Sequence, residues 1–125
     1  MENAENDLPL SGRSILLVED DLIVAQSIND CLQDAGAHVL TARKTEDALP
    51  IVANVELAAA VLDVDLGGHD STIICERLSE RAIPFIFCSG YDEVYVSAKW
   101  PNATIIGKPA SEHVLITTLM TLIAR

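Results

Sequence analysis

Successive apolar runs in this sequence end on groups that can do chemistry. SILLV at 14–18 is followed by Glu19, Asp20 and Asp21, and AAAVLDV at 58–64 contains Asp63 and is followed by Asp65. PFIFC at 84–88 leads into Ser89 and Gly90, and a short run at 104–106 leads into Gly107 and Lys108. Clustered carboxylates repel one another unless a cation sits between them. Oxygen donors with little nitrogen or sulfur suit magnesium better than zinc. An ion held by a few carboxylates keeps open positions that phosphate oxygens can fill. A lysine and a hydroxyl beside it would stabilise a transferring phosphoryl group, where catalysis is mainly positioning and charge neutralisation. Asp63 is the natural nucleophile. It ends an otherwise apolar run in the middle of the set, and carboxylates form acyl phosphates. Each residue also has an ordinary reading: a helix cap for Asp21, a turn serine for Ser89, a loop lysine for Lys108. Asp21 is assigned to the cap. The recurrence of the others at successive run ends favours a joint site.

For these groups to meet, the runs must be strands with their carboxyl ends on one edge. Residues 14–18 read as a buried strand. Residues 22–35 carry Ile23, Ile28, Cys31 and Leu32 at helical spacing and stop at Gly36. A second strand is expected at 37–42. Thr45 is the expected cap of a second helix burying Ala48, Leu49, Ile51 and Val52, with Pro50 near its first turn or bending it. Residues 58–64 form the third strand, and Gly67-Gly68 marks a loop. Ser71 is expected to cap a third helix with Ile73, Ile74 and Leu78, ending near Arg81. A fourth strand follows at 84–88, then a short helix or mobile segment at 91–99, then a fifth strand at 104–106. Ser111 caps a final helix with Val114, Leu115, Leu119 and Leu122. The alternation implies an α/β fold with a parallel sheet covered on both faces. Right-handed crossovers bring the strand carboxyl ends to one edge, where such sheets bind ligands.

The chain's 125 residues fit one domain, and half of them are hydrophobic, enough for a core. Residues 1–12 read as a flexible tail and 13–125 as the domain. No apolar run spans a membrane, and the start does not look like a signal peptide. The net charge of −11 argues against nucleic acid and admits metal cations and basic partners. Cys31, Cys75 and Cys88 lack zinc-like spacing and read as reduced core thiols of a cytoplasmic protein. His38, His69 and His113 are scattered and receive no chemical role.

Four segments together resemble the receiver domain of two-component response regulators: ILLVEDD at 15–21, AVLDVDLGG at 60–68, FCSGY at 87–91 and GKP at 107–109. The resemblance runs from residue 14 to the C-terminus. It implies a doubly wound, five-stranded (βα)5 sheet in the flavodoxin-like order 2-1-3-4-5. It implies phosphorylation of Asp63 by a histidine kinase, with Mg2+ bound by Asp20, Asp63, the Asp65 backbone carbonyl and, through water, Glu19. Ser89, Gly90 and Lys108 would be the phosphoryl-binding and switch positions. Ile105 stands where the family usually has an aromatic switch residue. FCSGY resembles the FAT GUY subgroup, in which the segment after strand four is mobile and kinases of an atypical class are frequent partners. The switch is therefore expected in the ordering of 89–99. No output domain is expected after residue 125, so the output would be a protein contact or removal of phosphate from a kinase. Two alternatives stand beside this reading. One is a receiver-like interaction module that works without phosphate. The other is a haloacid-dehalogenase-type phosphatase using Asp63 and Asp65, a fold that places this motif on its first strand.

Overall fold

The stretch Ala59–Asp63 is buried at every position, as a central strand with helices on both faces must be. The computed structural model describes residues 8–63, 72–89, 104–107 and 111–124. In chain order they form β1 (Ser14–Val18), α1 (Leu22–Asp34), β2 (His38–Ala42), α2 (Thr45–Asn54) and β3 (Ala59–Asp63). These are followed by α3 (Thr72–Glu80), β4 (Phe85–Ser89), β5 (Thr104–Gly107) and α4 (Glu112–Ile123). The strands make one sheet in the order β2-β1-β3-β4-β5, and every pairing is parallel. This is the flavodoxin-like order.

Strand alternation divides the core in two. Ile15, Leu17, Ala59, Val61, Ile86, Cys88 and Ile106 point to the face covered by α1 and α4, where they meet Ile28, Leu32, Leu115 and Leu119. Leu16, Val18, Ala60, Leu62 and Phe87 point to the other face, against Ala48 and Val52 of α2 and Ile74, Cys75 and Leu78 of α3. No helix among the described residues is long and apolar enough to cross a membrane.

Several local expectations change. Ile23 is 83% exposed and Val114 is 46% exposed. Both have helical spacing but lie off the stripe that meets the sheet. Thr45 does not cap α2. Lys44 holds the cap position without a side-chain bond, and the buried Thr45 hydroxyl has no partner. Pro50 sits inside α2 beyond its first turn. Leu10, counted with the tail, is 1% exposed and belongs to the core. Its N–H donates to the Ala35 carbonyl at 2.7 Å, which pins residues 8–12 beneath the end of α1. Ser111 caps α4 as expected, accepting from the Val114 N–H at 3.1 Å.

Two helices end in the same hydrogen-bond pattern with different residues at the left-handed position. After α1, Gly36 N–H donates to Gln33 at 2.9 Å and Ala37 N–H to Leu32 at 3.0 Å. After α3, Ala82 N–H donates to Ser79 at 3.0 Å and Ile83 N–H to Leu78 at 2.9 Å. Both are Schellman endings. Gly36 has φ +98, while Ala82 has φ +56. A Cβ at Gly36 would lie 2.8 Å from Ser11 Oγ and 3.0 Å from Leu8 Cβ. An L-residue with a Cβ pays roughly 1–2 kcal/mol in this conformation, partly offset by its smaller unfolded-state entropy. Ala82→Gly should therefore stabilise the protein by about 0.5–1 kcal/mol. Gly36→Ala should destabilise it by about 2 kcal/mol or more, because clash adds to strain. Urea denaturation of both variants reads the two signs.

Cys31, Cys75 and Cys88 are buried and form no disulfide. Burial pushes the Cys31 thiol above its ordinary value, with Glu112 and Asp34 adding like-charge repulsion. Above pH 9.0, the ordinary thiol value, the unfolded chain ionises this thiol before the native protein does. Native Cys31 then binds more protons than unfolded Cys31, so its contribution to stability falls as pH rises. Chemical denaturation from pH 8 upward should show this loss in wild type and a shallower one in Cys31→Ala.

Candidate metal and phosphoryl site

The register decides which strand ends meet. Val18 pairs with Leu62, Asp63 with Cys88, and Ser89 with Gly107. The carboxyl ends of β1, β3, β4 and β5 therefore share one edge. Beyond β1 the ladder continues by one bond, as Glu19 N–H donates to the Ala42 carbonyl at 3.0 Å. This bond fixes the acidic stretch where it leaves the sheet.

The three consecutive acids then separate in role. Asp21 Oδ1 accepts from the N–H groups of Ile23 at 2.9 Å and Val24 at 3.2 Å, so Asp21 is the α1 cap. Glu19 Oε2 accepts from the Asp21 N–H at 3.1 Å, and Glu19 is only 2% exposed. Asp63, at the end of β3, is 6% exposed, and Asp20 is half-buried between them and solvent. One ligand oxygen from each of Glu19, Asp20 and Asp63 lies within 4.8 Å of the others.

Such a set fits a divalent cation. Buried like charges at this spacing are costly alone and favourable around an ion. All three ligands are carboxylates, the hard donors magnesium prefers. The structure thus brings together three of the residues singled out in the sequence. Ser89 lies in the strand beside β3, at the same edge. Ile105 pairs with Phe87 and packs, half-buried, against the core on the α2–α3 side. Asp65, Gly90, Lys108, Ser71 and the 91–99 segment lie outside the described residues.

One neighbour of the site was missed by sequence reasoning. Arg43 Nη2 donates to the Asp20 backbone carbonyl at 3.5 Å. No motif marks Arg43; only the β1–β2 register brings it there.

A parallel 2-1-3-4-5 sheet with carboxylates gathered at its carboxyl edge defines a doubly wound α/β protein with an acidic edge. The family profile of the response regulator receiver domain matches residues 15–119, and the chain belongs to that family. The transcriptional regulatory protein GltR of Pseudomonas aeruginosa is 28% identical over 123 residues, covering 92% of this chain and 50% of that protein. YbdJ of Bacillus subtilis, also a transcriptional regulatory protein by name, is 29% identical over 87 residues, covering 68% of this chain and 38% of that protein. The chain thus spans half or less of the length of these curated relatives. Among solved structures, a response regulator receiver protein from Sinorhizobium medicae has a TM-score of 0.82 at 22% identity, covering 90% of this chain and 94% of that one. The receiver domain of sensor histidine kinase PA1611 from Pseudomonas aeruginosa, with magnesium coordinated in its active-site cleft, has a TM-score of 0.81 at 20% identity. That match covers 92% of this chain and 100% of that one. At these identities the structural likeness is one of fold. The phosphatase alternative does not fit this topology, since Asp63 ends the third strand.

The charge cluster predicts a stability signature. Without divalent cations, Asp63→Asn should be more stable than wild type by on the order of 1–3 kcal/mol, the repulsion expected between carboxylates this close. Magnesium at 100-fold its Kd should raise wild-type stability by about 2.7 kcal/mol and raise the variant far less. Thermal melts with EDTA and with MgCl2 make both comparisons.

Proposed function

We propose that Asp63 is the phosphoacceptor of a two-component signalling system and takes its phosphoryl group from a phosphohistidine of a histidine kinase. The observation that carries this reading is the meeting of Glu19, Asp20 and Asp63 within 4.8 Å at the carboxyl edge of a receiver sheet. Asp20 and Asp63 would hold Mg2+ together with the Asp65 backbone carbonyl, and Glu19 would hold it through water. When bound there, the ion would supply positive charge to offset that of the phosphoryl oxygens.

In the transfer, an Asp63 carboxylate oxygen bonds to phosphorus as the P–N bond breaks. The bonding pair returns to the histidine ring nitrogen. With its other nitrogen protonated, the ring leaves as neutral imidazole. Ser89 donates to the new phosphoryl oxygens, Gly90 belongs with it to the phosphoryl-binding switch, and Lys108 supplies the matching positive charge. Their movement orders the 89–99 segment and changes which proteins bind, in place of the ring rotation that Ile105 rules out. Beyond this the domain assists only its own phosphorylation and dephosphorylation. Its net charge of −11 suits a basic docking face on the kinase and disfavours nucleic acid.

Incubation with acetyl phosphate and Mg2+, followed by intact mass, tests the reading. Wild type should gain one phosphoryl group. Asp63→Asn should gain none, and EDTA should prevent the gain in wild type. A wild type that stays unmodified and shows no response to beryllofluoride would favour the phosphate-independent interaction module instead.

A further inference from the structure

A basic pair stands at the rim of the acidic site. Arg43 and Lys44 are the only adjacent cations in a chain with 8 Lys and Arg against 19 Asp and Glu. They follow β2 directly. The Val18–Ala42 pairing and the Glu19 N–H bond to Ala42 bring this corner beside the residues that leave β1. The two cations are held differently. Lys44 Nζ lies 3.6 Å from Glu46 Oε2, so its charge is met by its own helix. Arg43 Nη2 contacts the Asp20 backbone carbonyl at 3.5 Å. That acceptor is neutral, so the contact places the guanidinium without cancelling its charge.

A cation at this rim does nothing to hold Mg2+, which it repels. It favours an arriving anion. The phosphoryl group of a donor is such an anion, and it must enter a site already lined with carboxylates. We propose that Arg43 is a specificity-determining residue for the phosphodonor, drawing its dianionic phosphoryl group towards Asp63 from the β2 side of the site. This rests on the reading of Asp63 as acceptor. Arg43 makes and breaks no bond; it offsets the repulsion that the carboxylates exert on the donor. The physical basis is local focusing of charge, which raises the encounter rate of an oppositely charged substrate and weakens with salt.

The test uses the full chain, with acetyl phosphate as a small dianionic donor and Mg2+ alone as a separate probe. Initial phosphorylation rates by intact mass, below donor saturation and at saturating Mg2+, should fall roughly threefold to tenfold in Arg43→Ala at low salt. Arg43→Glu should fall further, Arg43→Lys should keep most of the rate, and the differences should shrink as salt rises. Calorimetric Mg2+ affinity in Arg43→Ala should be unchanged or tighter, since a repelling charge is gone. Equal rates for wild type and Arg43→Ala would overturn the proposal. So would a rate loss matched by weaker Mg2+ binding, which would make Arg43 a prop for the Asp20 backbone. A wild type that takes no phosphoryl group would remove the Asp63 reading and this one together. A phosphorylated wild type with an indifferent Arg43→Ala would remove this one alone.

Discussion

Mutual repulsion among Glu19, Asp20 and Asp63 is the constraint around which the carboxyl edge is built. Three carboxylates with oxygens within 4.8 Å of one another would separate if the chain let them. It does not, because Asp63 is the last residue of a fully buried central strand and Glu19 is tied to Ala42 by the last bond of the β1–β2 ladder. The core holds the charges together, and a cation is the simplest way to relieve them. A surface acidic cluster would answer the same repulsion by moving into water. Here two of the three acids have almost no exposure.

The division of labour among neighbouring acids shows how finely local bonding sets function. Glu19, Asp20 and Asp21 are consecutive, yet Asp21 gives its oxygen to the first N–H groups of α1. The cap orients the helix and takes one negative charge out of the site. Glu19 then accepts from the Asp21 N–H, so the cap and the buried acid support each other. Arg43 adds a peripheral charge to this corner through a backbone contact. Its place depends on the register of β2 against β1, as the place of Asp63 depends on the register of β3 against β1.

Elsewhere the fold tolerates small local costs. Ala82 occupies a left-handed helix end that suits glycine, and Ile83 behind it is buried, so packing after α3 outweighs the strain. Thr45, the first residue of α2, buries a hydroxyl without a partner. These positions are far less consequential than the sheet edge, because each costs about a kilocalorie or so, whereas a shifted strand would scatter the site.

The sequence alone determined what local chemistry can determine. Apolar runs of five or so residues became strands, the Asp21 and Ser111 caps formed where short polar side chains precede helical spacing, and Gly36 ended α1. These depend on neighbours in the chain. Helical spacing did not say which side of α1 or α4 meets the sheet; Ile23 and Val114 share that spacing with the core residues and are exposed. Nor did composition show that Leu10 belongs to the core. The tertiary structure decided those matters, and above all it decided distance. Glu19 and Asp63 lie far apart in the chain and close together in space because β1 and β3 pair side by side, and Arg43 reaches Asp20 because β2 lies on the other side of β1. Strand pairing is a long-range choice made by the packing of the whole sheet, and no short stretch of residues encodes it.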